Sequence, residues 1–142
     1  MHTAGDILRN KGSDVWSVGP EAPIIDAIRE MAEKQVGALL VMENAQIVGI
    51  VTERDYARKV ALEGRSSSGS KVSEIMSRNV LCARLDQTVQ ECMALMSDKR
   101  ARHLPVVDHK TVVGIISIGD LVKTIIEEQQ FEIQQLQHYI TH

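Results

Sequence analysis

Apolar residues follow two kinds of spacing along this chain, and the two spacings predict its elements. The continuous apolar runs Ala38–Met42 and Ile47–Val51 are typical of strands buried on both faces, and a short strand is predicted earlier, at Val15–Val18. Apolar positions three and four residues apart predict a helix with Pro23 in its first turn. A second helix is predicted over about Thr52–Glu63. The apolar face of the helix after Pro23 consists of Ile24, Ala27, Ile28, Met31 and Ala32.

The second half of the chain repeats this pattern. A shift of 65 residues aligns Val15–Ala61 with Val80–Ile126 without a gap. Within these segments Gly49–Asp55 recurs as Gly114–Asp120, and each copy has a glycine, two β-branched apolar residues, a hydroxyl and an aspartate three residues after the hydroxyl. A gapless repeat of this length predicts two halves that fold alike and pack about a pseudo-twofold axis. The second repeat is predicted to contain strands at Val80–Ala83, Leu104–Val107 and Val112–Ser117 and helices from Thr88 and Asp120.

The segments that flank the repeats set the predicted domain boundaries. Ala4–Leu8 is predicted as a short helical turn, and Val72–Met76 matches it at a shift of 68 residues, so the first repeat has about three extra residues around Lys11. The stretch rich in Gly and Ser between the repeats is typical of a flexible linker. The predicted boundaries are 1–63 for repeat 1 with its N-terminal segment, 64–71 for the linker, 72–126 for repeat 2 and 127–142 for a C-terminal helical extension.

The C-terminal extension continues the last helix as an amphipathic stripe. Its apolar positions, spaced three and four residues apart or at their multiples, are Val122, Ile125, Ile126, Ile133, Leu136 and Ile140. A helix with such a stripe needs an apolar surface to cover it. We therefore expect the terminal helix either to cover the repeat pair or to meet another chain.

Composition and charge limit the classes of function. Among the 142 residues, 44% are apolar, 25% are charged and 3% are aromatic, as expected for a globular protein with an aliphatic core. The net charge of −3 and the lack of a basic block argue against a nucleic-acid partner. We expect neither a membrane span nor a signal peptide, because no apolar run has the required length or flanks. Cys82 and Cys92 fit no metal or disulfide spacing and are expected to be reduced, mostly buried thiols of a cytoplasmic protein.

Each repeated junction has an acid and a hydroxyl at the start of a helix. Thr52 with Asp55, and Ser117 with Asp120, have the spacing of a capping box, in which a hydroxyl and a carboxylate satisfy free backbone N–H groups. Thr88 begins a third box of this spacing. The same groups suit a ribose, because a carboxylate accepts from vicinal hydroxyls and a hydroxyl donates or accepts. Capping and ligand binding are compatible, so both roles stay open on the residues alone.

With strand, helix, strand, strand and helix in each repeat, the chain resembles the CBS domain, the repeat named after cystathionine β-synthase. The matching motifs are the two Gly-x-x-[Ser/Thr]-x-x-Asp junctions and the segment Arg102–Val106, which leads into a core strand. The resemblance covers nearly the whole chain. It implies an α/β fold of the α+β type, with tandem β-α-β-β-α repeats about a pseudo-twofold axis, to which the extended C-terminal helix is added.

The resemblance also implies a nucleotide site in each repeat. In the family, the aspartate and hydroxyl hold the ribose of an adenine nucleotide, the first strand lies beside the adenine, and basic residues meet the phosphates. The ribose role then falls on Thr52, Asp55, Ser117 and Asp120. The adenine role falls on Val15, Trp16 and Ser17 and on Val80, Leu81 and Cys82. The phosphate candidates are Arg54, Arg102 and His103.

Several of these residues also have a structural interpretation. Trp16 can be a packing residue, and Arg54 can form a helix-surface pair that faces acids. Arg102 and His103 can lie at the solvated start of a strand. Lys11 can be a loop charge, or it can lean over a phosphate. Because the basic residues are divided unequally between the two motifs, we expect at least one occupied site, and unequal affinities if there are two.

The sequence favours a binding module over an enzyme. It has no nucleophile–base set, no metal-ligand spacing and no Walker-type loop. We therefore expect a regulatory, signal-transducing sensor of an adenine nucleotide such as AMP, ATP or NAD, without a catalytic cofactor. The alternatives are a ligand-free module for protein–protein interaction and, least favoured, a nucleotide-processing enzyme.

The expected partners are an adenine-containing small molecule, a second copy of the chain in a homodimer, and an unidentified effector protein, with neither nucleic acid nor membrane. An apolar stripe left exposed on a monomer would be a patch of the kind that marks an interface. The predicted dimer face combines Tyr56, Val60, Leu121 and Ile125 with the terminal stripe through Ile133, Leu136 and Ile140.

Overall fold

The computed structural model describes residues 2–141, and their contacts divide the chain into two compact units. One unit is Val15–Val80, and the other combines the chain up to Asp14 with the chain from Leu81 onward. Each unit therefore contains one predicted repeat and the segment that leads into the other repeat. The domain boundaries drawn from the sequence stay a prediction, as does the pseudo-twofold axis.

The elements follow the same order in the two repeats. In chain order they are α1 (Ala4–Lys11), β1 (Ser17–Val18), α2 (Ile24–Lys34), β2 (Ala38–Glu43), β3 (Gln46–Thr52), α3 (Glu53–Tyr56), β4 (Ala83–Arg84), α4 (Val89–Lys99), β5 (His103–Asp108), β6 (Thr111–Ser117) and α5 (Ile118–Thr141). A π-helical turn at Ala57–Ala61 continues α3, and a 3₁₀ turn at Val72–Glu74 precedes β4. The predicted α/β architecture of tandem repeats with a long C-terminal helix is confirmed.

Each repeat builds a three-stranded sheet of the same topology. β1 pairs in parallel with β2, which pairs antiparallel with β3, and β4, β5 and β6 repeat this arrangement. The ladders of β1 and β4 contain only two residues each, so both first strands are shorter than predicted. The side-chain pattern identifies an extended segment, but it does not indicate where the backbone hydrogen bonds of the ladder begin.

The helices begin at their capping residues. Thr88 caps α4 through the predicted reciprocal box with Glu91. Pro23 was predicted in the first turn of α2, but it precedes the helix as the N-cap residue, because its backbone is extended with a ψ of 144°. Ala32 was predicted on the buried face of α2 and is exposed, because it lies at the edge of the apolar stripe that Ile24, Ala27 and Met31 bury.

The lead-in segments pack on the two repeated glycines. A Cβ atom on Gly114 would lie 2.5 Å from Cδ2 of Leu8, and one on Gly49 would lie 2.6 Å from Sδ of Met76. Helix α1 therefore rests on β6, and the segment after the 3₁₀ turn rests on β3. The shift of 68 residues that aligns the two lead-in segments also pairs Leu8 with Met76. Glycine is thus required in both junctions for close packing.

The cores are aliphatic, as the composition predicts, with one cluster in each unit. Val60 is 1% exposed and Leu121 is fully buried, each within the core of its own unit. Their predicted contribution to a dimer face is therefore wrong, because periodicity identifies an apolar face but not the surface that covers it. Tyr56 and Ile125 are partly buried against the same cores. Cys92 is buried, as predicted.

The last helix, α5, continues beyond the core that its first turns cover. Its side chains are exposed from Gln129 to Ile140. Within the described part of the chain, no helix is both long enough and apolar enough to cross a membrane.

Candidate functional site

The hydroxyl and carboxylate of the second junction lie together where β6 meets α5. The backbone N–H of Ser117 donates to Oδ2 of Asp120 at 2.8 Å, and the backbone N–H of Asp120 donates to Oγ of Ser117 at 3.2 Å. These reciprocal bonds form the capping box that the spacing predicts. They also fix the carboxylate and the hydroxyl side by side at the start of the helix, as a ribose site requires.

Lys11 brings a cation to this carboxylate. Its Nζ donates to Oδ2 of Asp120 at 2.8 Å and to the carbonyl oxygen of Ile115 at 2.9 Å. These bonds use two of the three N–H groups of the ammonium. Burial by itself would raise the pKa of Asp120, but the hydrogen bonds from Lys11 and from the Ser117 backbone outweigh it and lower this pKa. The carboxylate is therefore ionised at neutral pH and able to accept from a ligand hydroxyl.

His103 lies beside the junction because β5 pairs with β6. It is the register partner of Ser117, and its Nδ1 atom is buried without a hydrogen-bond partner among the residues that the structure describes. Burial lowers the pKa of His103, and the positive charges of Lys11 and Arg102 lower it further, against the opposing effect of Asp120. The imidazole is therefore mostly neutral at pH 7. A ligand atom that bonded to Nδ1 would satisfy a buried polar group.

The first junction has the same capping box but a different cation. The backbone N–H of Thr52 donates to Oδ2 of Asp55 at 3.0 Å, and the backbone N–H of Asp55 donates to Oγ1 of Thr52 at 3.0 Å. Nζ of Lys59 lies 3.5 Å from Oδ1 of Asp55 and donates to the carbonyl oxygen of Ile75 at 3.0 Å. Arg54, a predicted phosphate contact, is exposed in the first turn of α3.

The two junctions therefore differ in charge and in hydrogen-bonding capacity. Ala38 is the register partner of Thr52, so the first junction has a methyl group where the second has the His103 imidazole. Lys11 pairs with the second carboxylate, and Arg102 lies near His103 and is exposed just before β5. At the first junction, Glu53 beside Arg54 offsets part of the positive charge, so the second junction suits an anionic ligand group better.

The predicted adenine-contact segments are only partly buried. Trp16 packs against the core of its unit, and Nζ of Lys34 lies 4.4 Å from the centroid of its ring. Leu81 packs against the core of the other unit, and burial raises the pKa of the half-buried Cys82 thiol. Val15 and Val80 are partly buried, and Ser17 is exposed.

The sequence predictions missed Lys59 and gave Lys11 no specific contact. The i, i+4 spacing of Asp55 and Lys59 on one helix was a usable signal. For Lys11 the only signal was the extra residues around it, because its contact with Asp120 joins positions 109 apart. Groups of three or more His, Cys, Asp or Glu side chains able to hold a metal are absent from the described residues.

The shape of the surface does not by itself identify the site. An open groove of about 570 Å³ lies between α1 and the loop before α4, where Thr3, Arg9 and Asp86 contribute polar side chains. Ser117 and Asp120 do not line this groove. We therefore assign the candidate site from the chemistry of the two junctions and not from the groove.

Comparison with known proteins agrees with the repeat structure. The CBS-domain family model matches residues 4–62 and 72–127. The chain is similar to the mitochondrial CBS domain-containing protein CBSX3 of Arabidopsis thaliana, with 38% identity over 97% of this chain and 71% of that protein. Among solved structures, it is similar to a protein with CBS domains from Burkholderia ambifaria, with 50% identity, a TM-score of 0.86, and coverage of 89% of this chain and 96% of that one.

A third similarity concerns a structure with bound ligands. The CBS domain pair of protein MJ0100, in complex with 5′-methylthioadenosine and S-adenosyl-L-methionine, is 25% identical, with a TM-score of 0.79 over 90% of this chain and 98% of that one. The family model alone covers both repeats, and the relatives match almost the full length of the chain. This chain therefore belongs to the CBS-domain family and contains two such domains in tandem.

Proposed function

We propose that this CBS-domain pair is a regulatory module of signal transduction that binds an adenine nucleotide. The ribose is held by Asp120 with Ser117 in one repeat and by Asp55 with Thr52 in the other. The observation that carries the proposal is that both repeats hold a carboxylate beside a hydroxyl by equivalent reciprocal bonds. A carboxylate in a fixed position accepts charge-assisted hydrogen bonds from the two vicinal hydroxyls of a ribose.

The chemistry around Asp120 favours a phosphorylated ligand. Lys11 pairs with this carboxylate, Arg102 brings positive charge near His103, and an arginine can donate two parallel bonds to a phosphate. An adenosine-type ligand is supported by the domain pair of MJ0100, which holds 5′-methylthioadenosine and S-adenosyl-L-methionine. The candidates for this chain are AMP, ATP and NAD. Val15–Ser17 and Val80–Cys82 are proposed beside the adenine.

Calorimetric titration with AMP, ATP, NAD and adenosine tests this function. Asp55→Asn and Asp120→Asn should each weaken binding at their own site by roughly ten- to a hundredfold, because a lost charged hydrogen bond costs about 1.5–3 kcal/mol. Glu91→Gln is the matched control, since Glu91 forms the same capping box in α4 but has no proposed ligand role. Affinity that was unchanged in both aspartate variants would leave these residues as helix caps alone.

A ligand-free interaction module is the second candidate. The exposed apolar side chains of α5 favour it, because they present a surface that does not depend on a nucleotide. Heat stabilisation separates the two candidates, since a ligand that binds only the folded state raises its stability by RT ln(1 + [L]/Kd). We expect a nucleotide-dependent rise in Tm. Product analysis of the same mixtures should recover the nucleotide unaltered, whereas turnover would indicate an enzyme.

We also propose that the protein is a cytoplasmic homodimer that passes its signal to an effector protein. Ile133, Leu136 and Ile140 are 53%, 61% and 80% exposed, so α5 can supply apolar contacts to a second chain. A monomer mass from light scattering at micromolar concentration would contradict the dimer.

A further inference from the structure

The last helix carries an apolar stripe with the spacing of a coiled coil. Six positions follow one another at alternating steps of four and three residues, namely Val122, Ile126, Gln129, Ile133, Leu136 and Ile140. A period of 3.5 residues keeps these side chains on one seam of the helix. In heptad terms, Ile126, Ile133 and Ile140 occupy position a, and Val122, Gln129 and Leu136 occupy position d.

This seam differs from the face by which α5 contacts its own core. Leu121 is fully buried, and Ile118 and Ile125 pack against the core of the same unit. The core-facing side ends near Glu128, which accepts a hydrogen bond from the backbone N–H of His2 at 2.9 Å. From Gln129 to Ile140 every side chain is exposed, so the seam continues where the core-facing side has ended.

The exposed seam is large enough for a partner helix. Ile126 is 48% exposed, and the exposed fraction rises along the seam to 80% at Ile140. The apolar side chains of the seam are 44% to 80% exposed, so two paired copies bury at most about 1,000 Å² through them, which reaches the lower end of the range for a specific interface. A helical extension of this length is marginal in water unless its apolar stripe is buried.

We propose that the α5 helices of two copies of this chain pair along the seam as a parallel, two-stranded coiled coil. Isoleucine at a together with leucine at d, which here is Leu136 alone, favours two parallel strands. A single polar side chain inside the seam favours the register in which its two copies meet, because it is otherwise buried without a partner. Gln129 is that side chain, and its amide can both donate to and accept from the Gln129 of the second copy.

The charges beside the seam fit a second copy of the same helix. In a parallel pair each g position faces the following e position of the partner, so Glu132 of one copy lies opposite Gln137 of the other. Gln130 at e and Tyr139 at g are uncharged, so no like charges oppose each other along the exposed part of the seam. A basic partner helix would find one complementary charge there, Glu132, and an acidic partner helix would find none. The pairing rests on the homodimer proposed above and is independent of nucleotide binding.

Hydrogen exchange on the full chain tests the pairing. Amides of residues 129–140 should be protected in the wild type, and their protection should rise with protein concentration because the partner is a second chain. Leu136→Glu should lower this protection by about tenfold or more by burying a charge in the seam. Gln135→Glu adds the same charge at position c, outside the seam, and should leave protection unchanged.

Three outcomes would overturn the proposal. Protection that did not change with concentration would mean that the helix folds back on its own chain. Tail amides that exchanged freely in the wild type at both low and high protein concentration would mean that no self-pairing occurs. Equal effects of Leu136→Glu and Gln135→Glu would place the contact on another face of α5.

Cysteine cross-linking tests the parallel register. Under mild oxidation, the thiol introduced by Leu136→Cys, which keeps Gln129 in place, should form a disulfide with the same introduced thiol of the second chain. The mass of the joined peptides identifies this bond. Gln135→Cys should form no such bond. Peptide masses also distinguish this bond from any that involves Cys82 or Cys92. A protected tail without this cross-link would overturn the parallel arrangement, because antiparallel helices separate the two copies of most seam positions.

Discussion

At the scale of single residues, the two proposed ribose-binding aspartates differ in the origin of their cation. Asp55 has Lys59, which lies one turn further along the same helix. Asp120 has Lys11, which comes from the end of α1 and bonds to the carboxylate at 2.8 Å. The second junction is therefore joined to the lead-in segment by an ion pair. Any ligand that changes the bonding of Asp120 also acts on the end of α1.

Replacing Lys11 with methionine should destabilise the protein in a pH-dependent way. In the folded state the pKa of Asp120 lies below its ordinary value of 3.8. The stabilisation from this carboxylate is therefore present above about pH 4 and is lost as the pH falls through the folded pKa. We expect Lys11→Met to lower the free energy of unfolding by about 1 kcal/mol at pH 7, as for a partly buried ion pair. The difference from the wild type should shrink at pH 3 in urea unfolding.

Lys59→Met is the matched control for this prediction. It also removes an ammonium that bonds to a carbonyl oxygen, but its distance to the carboxylate is longer, at 3.5 Å. We expect a smaller loss of stability at pH 7 than for Lys11→Met. A loss in Lys11→Met that was equal at pH 3 and pH 7 would mean that Lys11 acts mainly through its bond to the carbonyl of Ile115.

At the scale of elements, each sheet is packed against a lead-in segment that comes from another part of the sequence. Helix α1 packs on β6, and its first residues also bond to the loop before α4, where the N–H of Ala4 donates to the carbonyl of Gln87 at 2.9 Å. In the other unit, the N–H of Val72 donates to the carbonyl of Ala22 at 2.9 Å. The equivalent bridges Thr3 to Thr88 and Pro23 to Lys71 are formed in the two units. The lead-in segments are therefore integral parts of both units.

Gly114→Ala should test the packing of α1 on β6. The new Cβ would lie within 3 Å of both δ carbons of Leu8, so either the side chain or the helix must move. We expect a loss of about 1–3 kcal/mol in the free energy of unfolding, as for an overpacked core. Gly119→Ala is the control, because its new Cβ would meet nothing closer than 3.6 Å and alanine favours the helix. Thermal unfolding of both variants measures the difference.

Gly114→Ala is expected to be less stable than Gly119→Ala, and any other result would contradict this packing. If Gly114→Ala were as stable as Gly119→Ala, α1 would not rest on β6 as described. A second variant, Leu8→Ala combined with Gly114→Ala, should lose less stability than the sum of the losses of its two single variants, because the new methyl group no longer meets the Leu8 side chain.

The elements that the sequence predicted well are those with a local cause. The apolar runs of β2 and β3 and the box of Thr88 and Glu91 were identified because backbone pairing and capping depend on neighbouring residues. Contacts between distant residues could not be read in this way. The sequence pattern marks Val60 and Leu121 as apolar face positions, but only the fold shows that each is covered by its own core.

The candidate site was predicted to a similar extent. The repeat gave the two acid–hydroxyl pairs, because a shift of 65 residues is visible in the sequence itself. It could not give the contact of Lys11 with Asp120, because that contact depends on where α1 packs. The burial of Nδ1 of His103 could not be predicted from the sequence either, because the pairing of His103 with Ser117 is a feature of the sheet register.

At the scale of the whole molecule, the two repeats share a fold but offer different ligand environments. The second repeat has Lys11 and a neutral His103 near its carboxylate, and Arg102 near His103. The first repeat has Lys59 and the exposed Arg54, with the acidic Glu53 beside Arg54 in the first turn of the same helix. A neutral nucleoside needs only the ribose-binding groups, whereas a phosphate gains from additional cations. The two repeats should therefore discriminate differently between phosphorylated and neutral ligands.

Calorimetry with AMP and adenosine measures this difference, using one aspartate variant to silence each repeat. In Asp55→Asn only the second repeat still binds, and in Asp120→Asn only the first. The ratio of adenosine Kd to AMP Kd should be about tenfold larger in Asp55→Asn, because one additional charged hydrogen bond to phosphate contributes about 1.5 kcal/mol. Adding Arg102→Ala to Asp55→Asn should weaken AMP and leave adenosine unchanged. Equal ratios in the two aspartate variants would contradict the assignment of phosphate selectivity to the second repeat. Equal losses of AMP and adenosine on replacing Arg102 would mean that this arginine acts through packing.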